Sequence, residues 1–160
     1  IEIEGASATG NLIVNNFIGT DISGASDLGN SANGISIFNS ASSNTIGGTT
    51  VAERNVIAGN NSDGIEIYGS GTNSNSILGN YIGIGANGAT AIGNSLYGIY
   101  VYNGASGNRI GGTASGSGNR IANNHTGIVI AAVTTNAVNT SILGNSIYSN
   151  TNQGIDIGAN

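Results

Sequence analysis

The chain has 160 residues, enough for one compact domain, and a formal net charge of −5 from eight acidic and three basic side chains. It contains no Cys, Pro, Met or Trp, which excludes a disulfide framework and thiol chemistry. So few basic residues argue against nucleic acid and against an anionic membrane surface, both of which need clustered Lys or Arg, and no apolar run is long enough for membrane insertion.

The first residue is Ile1, without Met or signal peptide, as expected of a processed product or a piece of something longer. Gly accounts for 28 residues, and Asn, Ser and Thr are abundant. Such bias accompanies disordered, low-complexity segments. Here the apolar fraction is 38% and Ile recurs at regular spacings, which points to an ordered repeat instead.

Taken in order, the chain repeats itself at an offset of 64: Asn11, Ile13, Asn16, Ile18 and Gly19 return as Asn75, Ile77, Asn80, Ile82 and Gly83. Each unit divides into two coils. A coil opens on Gly-Ile-x-Ile or Val, at Gly34, Gly64, Gly98, Gly127 and Gly154. A second apolar piece follows at Ile13, Ile46, Ile77, Ile110 or Ile142, and a third at Ile18, Ile57, Ile82, Ile121 or Ile147. The expected coils are 1–33, 34–63, 64–97, 98–126 and 127–153, with a partial sixth at 154–160, all in one domain spanning 1–160. Pieces of two to four residues, rich in Ile and Val and without helical periodicity, read as strands. Three short strands per turn, repeated, predict an all-β parallel β-helix. In its first strand, Ile35 with Ile37, Ile65 with Ile67, Ile99 with Val101 and Ile128 with Ile130 should point inward.

Three Asn columns accompany this core: Asn16, Asn55, Asn80, Asn119, Asn145; then Asn30, Asn60, Asn94, Asn123, Asn150; then Asn11, Asn44, Asn75, Asn108, interrupted at Thr140. Asn tolerates left-handed backbone at corners, and stacked amides bond along a column. Asn60-Asn-Ser62, Asn124-His-Thr126 and Asn139-Thr-Ser141 match the glycosylation sequon. The columns persist where no sequon exists, so the structural reading is preferred.

The NxIxGNxIxxNxxxGIxI pattern, closing on Gly154-Ile-Asp-Ile-Gly158, resembles the right-handed parallel β-helix repeat of pectate-lyase-like enzymes, of carbohydrate-binding and sugar-hydrolase repeat proteins, and of large bacterial surface or secreted proteins. The resemblance covers the whole chain. It implies a right-handed β-helix, and an extracellular or cell-surface setting. It does not select among enzymes, adhesins and passive stalks.

Extra residues bulge at 20–29 and 84–93 from one edge and at 48–54 and 112–118 from another. Asp21 and Asp27 are the acids of the first bulge; a calcium site there is disfavoured, because Gly85 and Ala91 replace them one unit later. Outward positions of the first strand form two columns. Glu2, Ser36, Glu66, Tyr100, Val129 and Asp156 make one; Glu4, Phe38, Tyr68, Tyr102 and Ala131 make the other. Aromatic rings beside a carboxylate are what a sugar-binding face requires, so Phe38, Glu66, Tyr68, Tyr100 and Tyr102 are the candidate carbohydrate-binding residues. Ordinary cross-strand stacking or cover by a neighbouring chain is the structural alternative. Tyr81 should lie beside Arg120 as a cation–π pair. His125 stands in a turn without a Ser or Cys partner.

No residue set is assigned to catalysis, to a metal or to a cofactor. Glu2 and Glu66 stand two coils apart, about 9.6 Å by strand spacing, at the far edge of what glycoside hydrolysis uses. The functional expectation is therefore a non-catalytic extracellular β-helix: a stalk, adhesin segment or filament subunit. The alternative is a carbohydrate-binding module or a fragment of a polysaccharide-active enzyme. Expected partners are a polysaccharide or glycan, or further copies of the chain. The chain starts inside a strand at Ile1-Glu-Ile3 and stops inside another at Ile155-Asp-Ile157. Either the protein continues beyond both, or copies stack end to end.

Overall fold

The computed structural model describes residues 1–159 except Val133, Thr134 and Asn136; these three and Asn160, which fall within the expected fifth and sixth coils, lie outside the described residues. Among the described residues sixteen strands, β1 to β16 along the chain, form three parallel sheets. The first sheet stacks β1 (Glu2–Glu4), β4 (Ile35–Phe38), β7 (Ile65–Tyr68), β10 (Tyr97–Tyr102), β13 (Thr126–Ala131) and β16 (Ile155–Ala159) in chain order. The second stacks β2 (Leu12–Ile13), β5 (Thr45–Gly47), β8 (Ser76–Leu78), β11 (Arg109–Gly111) and β14 (Ser141–Leu143). The third stacks β3 (Phe17–Ile18), β6 (Val56–Ile57), β9 (Tyr81–Ile82), β12 (Arg120–Ala122) and β15 (Ser146–Tyr148). Each strand pairs with the strand one turn before and one turn after it, which is the parallel β-helix expected from the repeat.

The register puts like residues on like. Ile35 pairs with Ile65, Ile65 with Ile99 and Ile99 with Ile128. The inward residues Ile35, Ile37, Ile65, Ile67, Ile99, Val101 and Ile128 are fully buried, and Ile130 is nearly so. With Ile46, Ile57, Ile77, Ile82, Ile110 and Ile121 they form one continuous core. Each contributes roughly 1.5–3 kcal/mol.

Strand lengths exceed the expectation in the first sheet, where β10 and β13 reach six residues. There the Tyr97 and Thr126 backbones pair before the opening glycine. One turn earlier, Asp63 takes the Tyr97 N–H with its side chain, so pairing of β7 with β10 starts only at Ile65.

The Asn columns are hydrogen-bonded ladders. Asn80 is typical. Its backbone N–H and its Nδ2 donate to Asn119 Oδ1 at 2.9 and 3.1 Å, while its own Oδ1 accepts from Asn55 N and Nδ2 at 3.2 and 2.9 Å. Nδ2 also reaches back to Ile46 O at 2.9 Å. Two expectations need correction. The second column runs through Asn124, not Asn123: Asn94 donates to Asn124 Oδ1, and Asn124 to Asn150 Oδ1. Asn123 is the preceding corner residue, left-handed at φ 64°. Nor do the ladder residues themselves supply the left-handed backbone. Gly10, Ser43, Ser74, Gly107 and Asn139, each one position before the third column, have φ between 57° and 70°. In the third column the preceding residue makes the corner; the ladder Asn then bonds the next coil.

The bulges also have structure. The 20–29 and 84–93 segments fold back on themselves through the antiparallel bridges Thr20–Asp27 and Ile84–Ala91. Stacking follows, with Ala86 N–H donating to Gly24 O at 2.9 Å. The 48–54 bulge contains a short 3₁₀ turn, Val51–Glu53, which the strand pattern does not signal.

Candidate aromatic and carboxylate face

The outward face of the first sheet brings all five candidate carbohydrate-binding residues together. Register places Glu66 beside Ser36 on one side and Tyr100 on the other, and Tyr68 beside Tyr102. The rings stack: Phe38 on Tyr68 at 5.0 Å and 4°, Tyr68 on Tyr102 at 5.2 Å and 21°, Tyr102 with Tyr100 at 4.2 Å and 13°. Tyr97, absent from the candidate set, closes the array edge-on against Tyr100 at 4.9 Å. It belongs here because β10 starts earlier than expected. All five rings are half-buried, not freely exposed. Stacked along the rod, they spend their faces on one another and turn edges outward. Sugar C–H groups pack on ring faces, so this arrangement favours cross-strand stabilisation.

Glu66 is likewise engaged. Its Oε1 accepts from Tyr102 Oη at 2.7 Å; its Oε2 accepts from Asn33 Nδ2 at 2.8 Å and Ser36 Oγ at 3.4 Å. A carboxylate has about four acceptor positions, and three are occupied. Burial, then the bond to Glu66 and its charge, pushes the Tyr102 phenol far above its ordinary range. Tyr102 therefore stays a donor throughout ordinary pH. Behind the face, the side chain of Asp63 is almost fully buried. Burial, with the Glu66 charge adding to it against a bond from the Tyr97 N–H, raises its pKa to about 6.

Other candidates are equally tied down. Both Asp21 oxygens accept from Ser23 Oγ, and Oδ1 also accepts from the Ala25 and Ser26 N–H groups. These bonds, Ser23 first, hold its carboxyl below the usual range. Asp27 Oδ1 accepts from Gly29 N–H at 2.9 Å. Both carboxylates thus shape their own loop. Asn60 and Asn124 are fully buried in a ladder, so two of the three sequons are inaccessible in the folded chain, while Asn139 is exposed. His125 is exposed, with Nδ1 3.3 Å from Thr151 Oγ1.

On the third sheet Arg120 does lie by Tyr81, its guanidinium 5.2 Å from the ring centre, and donates to Tyr148 Oη at 2.8 Å. Sequence reasoning missed a second cation: Arg54 sits 4.0 Å over the same ring. The signal is its position. Arg54 precedes ladder residue Asn55 as Gly79 precedes Asn80, but its backbone is extended, at φ −66° and ψ 129°. No family model, curated protein or solved structure matches the chain.

Proposed function

We propose that this chain is a stiff, non-catalytic rod serving outside the cell as a stalk, adhesin segment or filament subunit. The observation that carries this reading is the set of Asn ladders. They bond each coil to the next through side chains as well as backbone, so polar groups that could meet a ligand are spent on holding the turns together. The stacked rings and the triply bonded Glu66 support it in the same way. An extracellular position suits a chain without Cys or Met, which has no sulfur to oxidise.

Glycan-array binding compared with thermal melting tests the reading. Tyr68→Ala and Tyr102→Ala should lower the melting temperature, each lost ring pair costing about 0.5–1.5 kcal/mol, with no glycan bound by the parent. Glycan binding by the parent, lost in both variants at unchanged melting temperature, would establish the sugar-binding reading instead.

A further inference from the structure

The third sheet carries a cleft of about 170 Å³ at the meeting of three coils, lined by the apolar Phe17, Val51, Val56 and Ala86 together with Asn15, Asn16 and Arg54. Phe17 is 43% and Val51 73% exposed, so apolar surface faces solvent beside a cation. The Arg54 side chain is held in place. Its guanidinium rests on Tyr81, and its Nε donates to Gly79 O at 3.2 Å. Its two terminal nitrogens have no hydrogen-bond or ion-pair partner among the described residues. They form a planar, pre-set fork of the kind that receives a carboxylate through two bonds.

The neighbouring acid does not neutralise it. Glu53 folds onto its own loop, where Oε2 accepts from Thr49 N, Thr50 N and Thr50 Oγ1 at 2.9–3.0 Å. In a chain of net charge −5, this leaves a local cation free for an anion.

The internal repeat shows that the fold does not require these side chains. At the offset of 64, Phe17, Val51, Arg54 and Val56 become Tyr81, Ser115, Gly118 and Arg120. The second unit builds the same coils and the same ladder without the apolar wall. Its bulge carries no cation where Arg54 stands, and Arg120 lies instead on the strand, bonded to Tyr148. The cleft is therefore not a product of the repeat itself; it forms where the 48–54 and 84–93 bulges meet the strands β3 and β6.

We propose that this cleft binds an amphiphilic carboxylate, its compact apolar body on Phe17, Val51, Val56 and Ala86 and its carboxylate on the terminal nitrogens of Arg54. Size selects a small body: a cavity of about 150 Å³ accepts a benzene-sized molecule. The same chemistry is offered by a free aromatic or short aliphatic acid and by the C-terminal residue of a peptide ending in an apolar side chain.

Amide chemical shifts of the intact chain, followed during titration, test this. Sodium benzoate should give saturable shifts confined to Phe17, Val51, Val56, Ala86 and their neighbours; acetate and benzyl alcohol, each lacking one half of the ligand, should bind far more weakly. Arg54→Gln should weaken benzoate by roughly tenfold or more, the usual worth of a charged hydrogen bond. Because Arg54 also rests on Tyr81, Val51→Glu is the second variant. Val51 is exposed, so its replacement should leave the melting temperature unchanged while abolishing the shifts. N-acetyl-glycyl-phenylalanine, as acid and as amide, separates the sources: tighter binding of the peptide acid than of benzoate assigns a chain terminus, and the reverse assigns a free acid. The proposal is overturned if benzoate gives no saturable shifts at the cleft, if benzyl alcohol binds as well, or if both variants bind benzoate as the parent does.

Discussion

Asp63 is the residue whose chemistry departs most from its surroundings. It occupies the position before the opening glycine, next to Asn33 in one coil and Tyr97 in the other. Its N–H donates to Asn33 Oδ1 and its Oδ1 accepts from Tyr97 N–H, both at 2.9 Å. Burial raises its pKa from 3.8 to about 6, so the folded chain holds this proton more tightly than the unfolded one. Stability from this group is therefore full below about pH 4 and falls as pH rises through about 6. A rise of that size corresponds to about 3 kcal/mol. Asp63→Asn keeps the oxygen that accepts from Tyr97 and removes the charge. It should stabilise the chain at pH 7 by about 2–3 kcal/mol, a gain that vanishes by pH 4. Urea unfolding of both chains across pH 4–8 checks this; a gain independent of pH would show that Asp63 is not buried as a charge. The difference between the two chains also isolates Asp63 from Asp21 and Glu53. Their carboxyls are lowered by loop hydrogen bonds, from Ser23 and Thr50 foremost, and they lose their contribution as pH falls.

Among the elements, the ladders are the distinctive part. Asn80→Ala deletes the acceptor of Asn55 N–H and the donor to Ile46 O, both in the dry interior. The expected cost is about 1–3 kcal/mol for each buried group left unpaired, read as a lower urea midpoint at unchanged slope. Where the third ladder breaks, Thr140 Oγ1 is buried without a partner among the described residues. Thr140→Asn restores an amide at the end of the Asn108 rung and should add about 1 kcal/mol; a loss would mean that the corner has no room for it.

These ladders were largely legible in the sequence because Asn recurs at fixed distances from the Ile pieces. The choice of Asn123 over Asn124 failed for a physical reason. Two Asn stand together, and the chain from the ladder to the opening glycine is one residue shorter here than in the other coils. Spacing could not tell the corner from the rung; only the left-handed backbone of Asn123 does. The aromatic column was readable from strand alternation, since one register aligns Phe38, Tyr68 and Tyr102. The partners that saturate Glu66 were not. Asn33 reaches it from the corner that leads into β4, the strand beside β7, and its role depends on a corner geometry that no local pattern encodes. Arg54 was hidden for a similar reason: its reach to Tyr81 follows from a 3₁₀ turn inside a bulge.

At the scale of the molecule, the rod is a stack in which each coil pairs its strands and ladders with its neighbours, while the bulges of the first and third coils also meet, so stability accumulates largely coil by coil. An interior rung should matter more than an outer one. Asn11 donates to Asn44 Oδ1 and is itself exposed, whereas Asn80 is bonded on both sides and fully buried. Asn11→Ala should accordingly cost well under half of what Asn80→Ala does in the same unfolding experiment; equal costs would mean that the coils do not act as a nearest-neighbour stack. Polar side chains are spent inside the rod as permanent structural bonds. Hydrogen exchange at the Asn side-chain amides measures this directly. The Nδ2 protons of Asn44, Asn55, Asn75, Asn80, Asn94 and Asn119 should exchange as slowly as the backbone amides of β7 and β10. Exchange of those six at the rate of a free amide, with the backbone still protected, would contradict it.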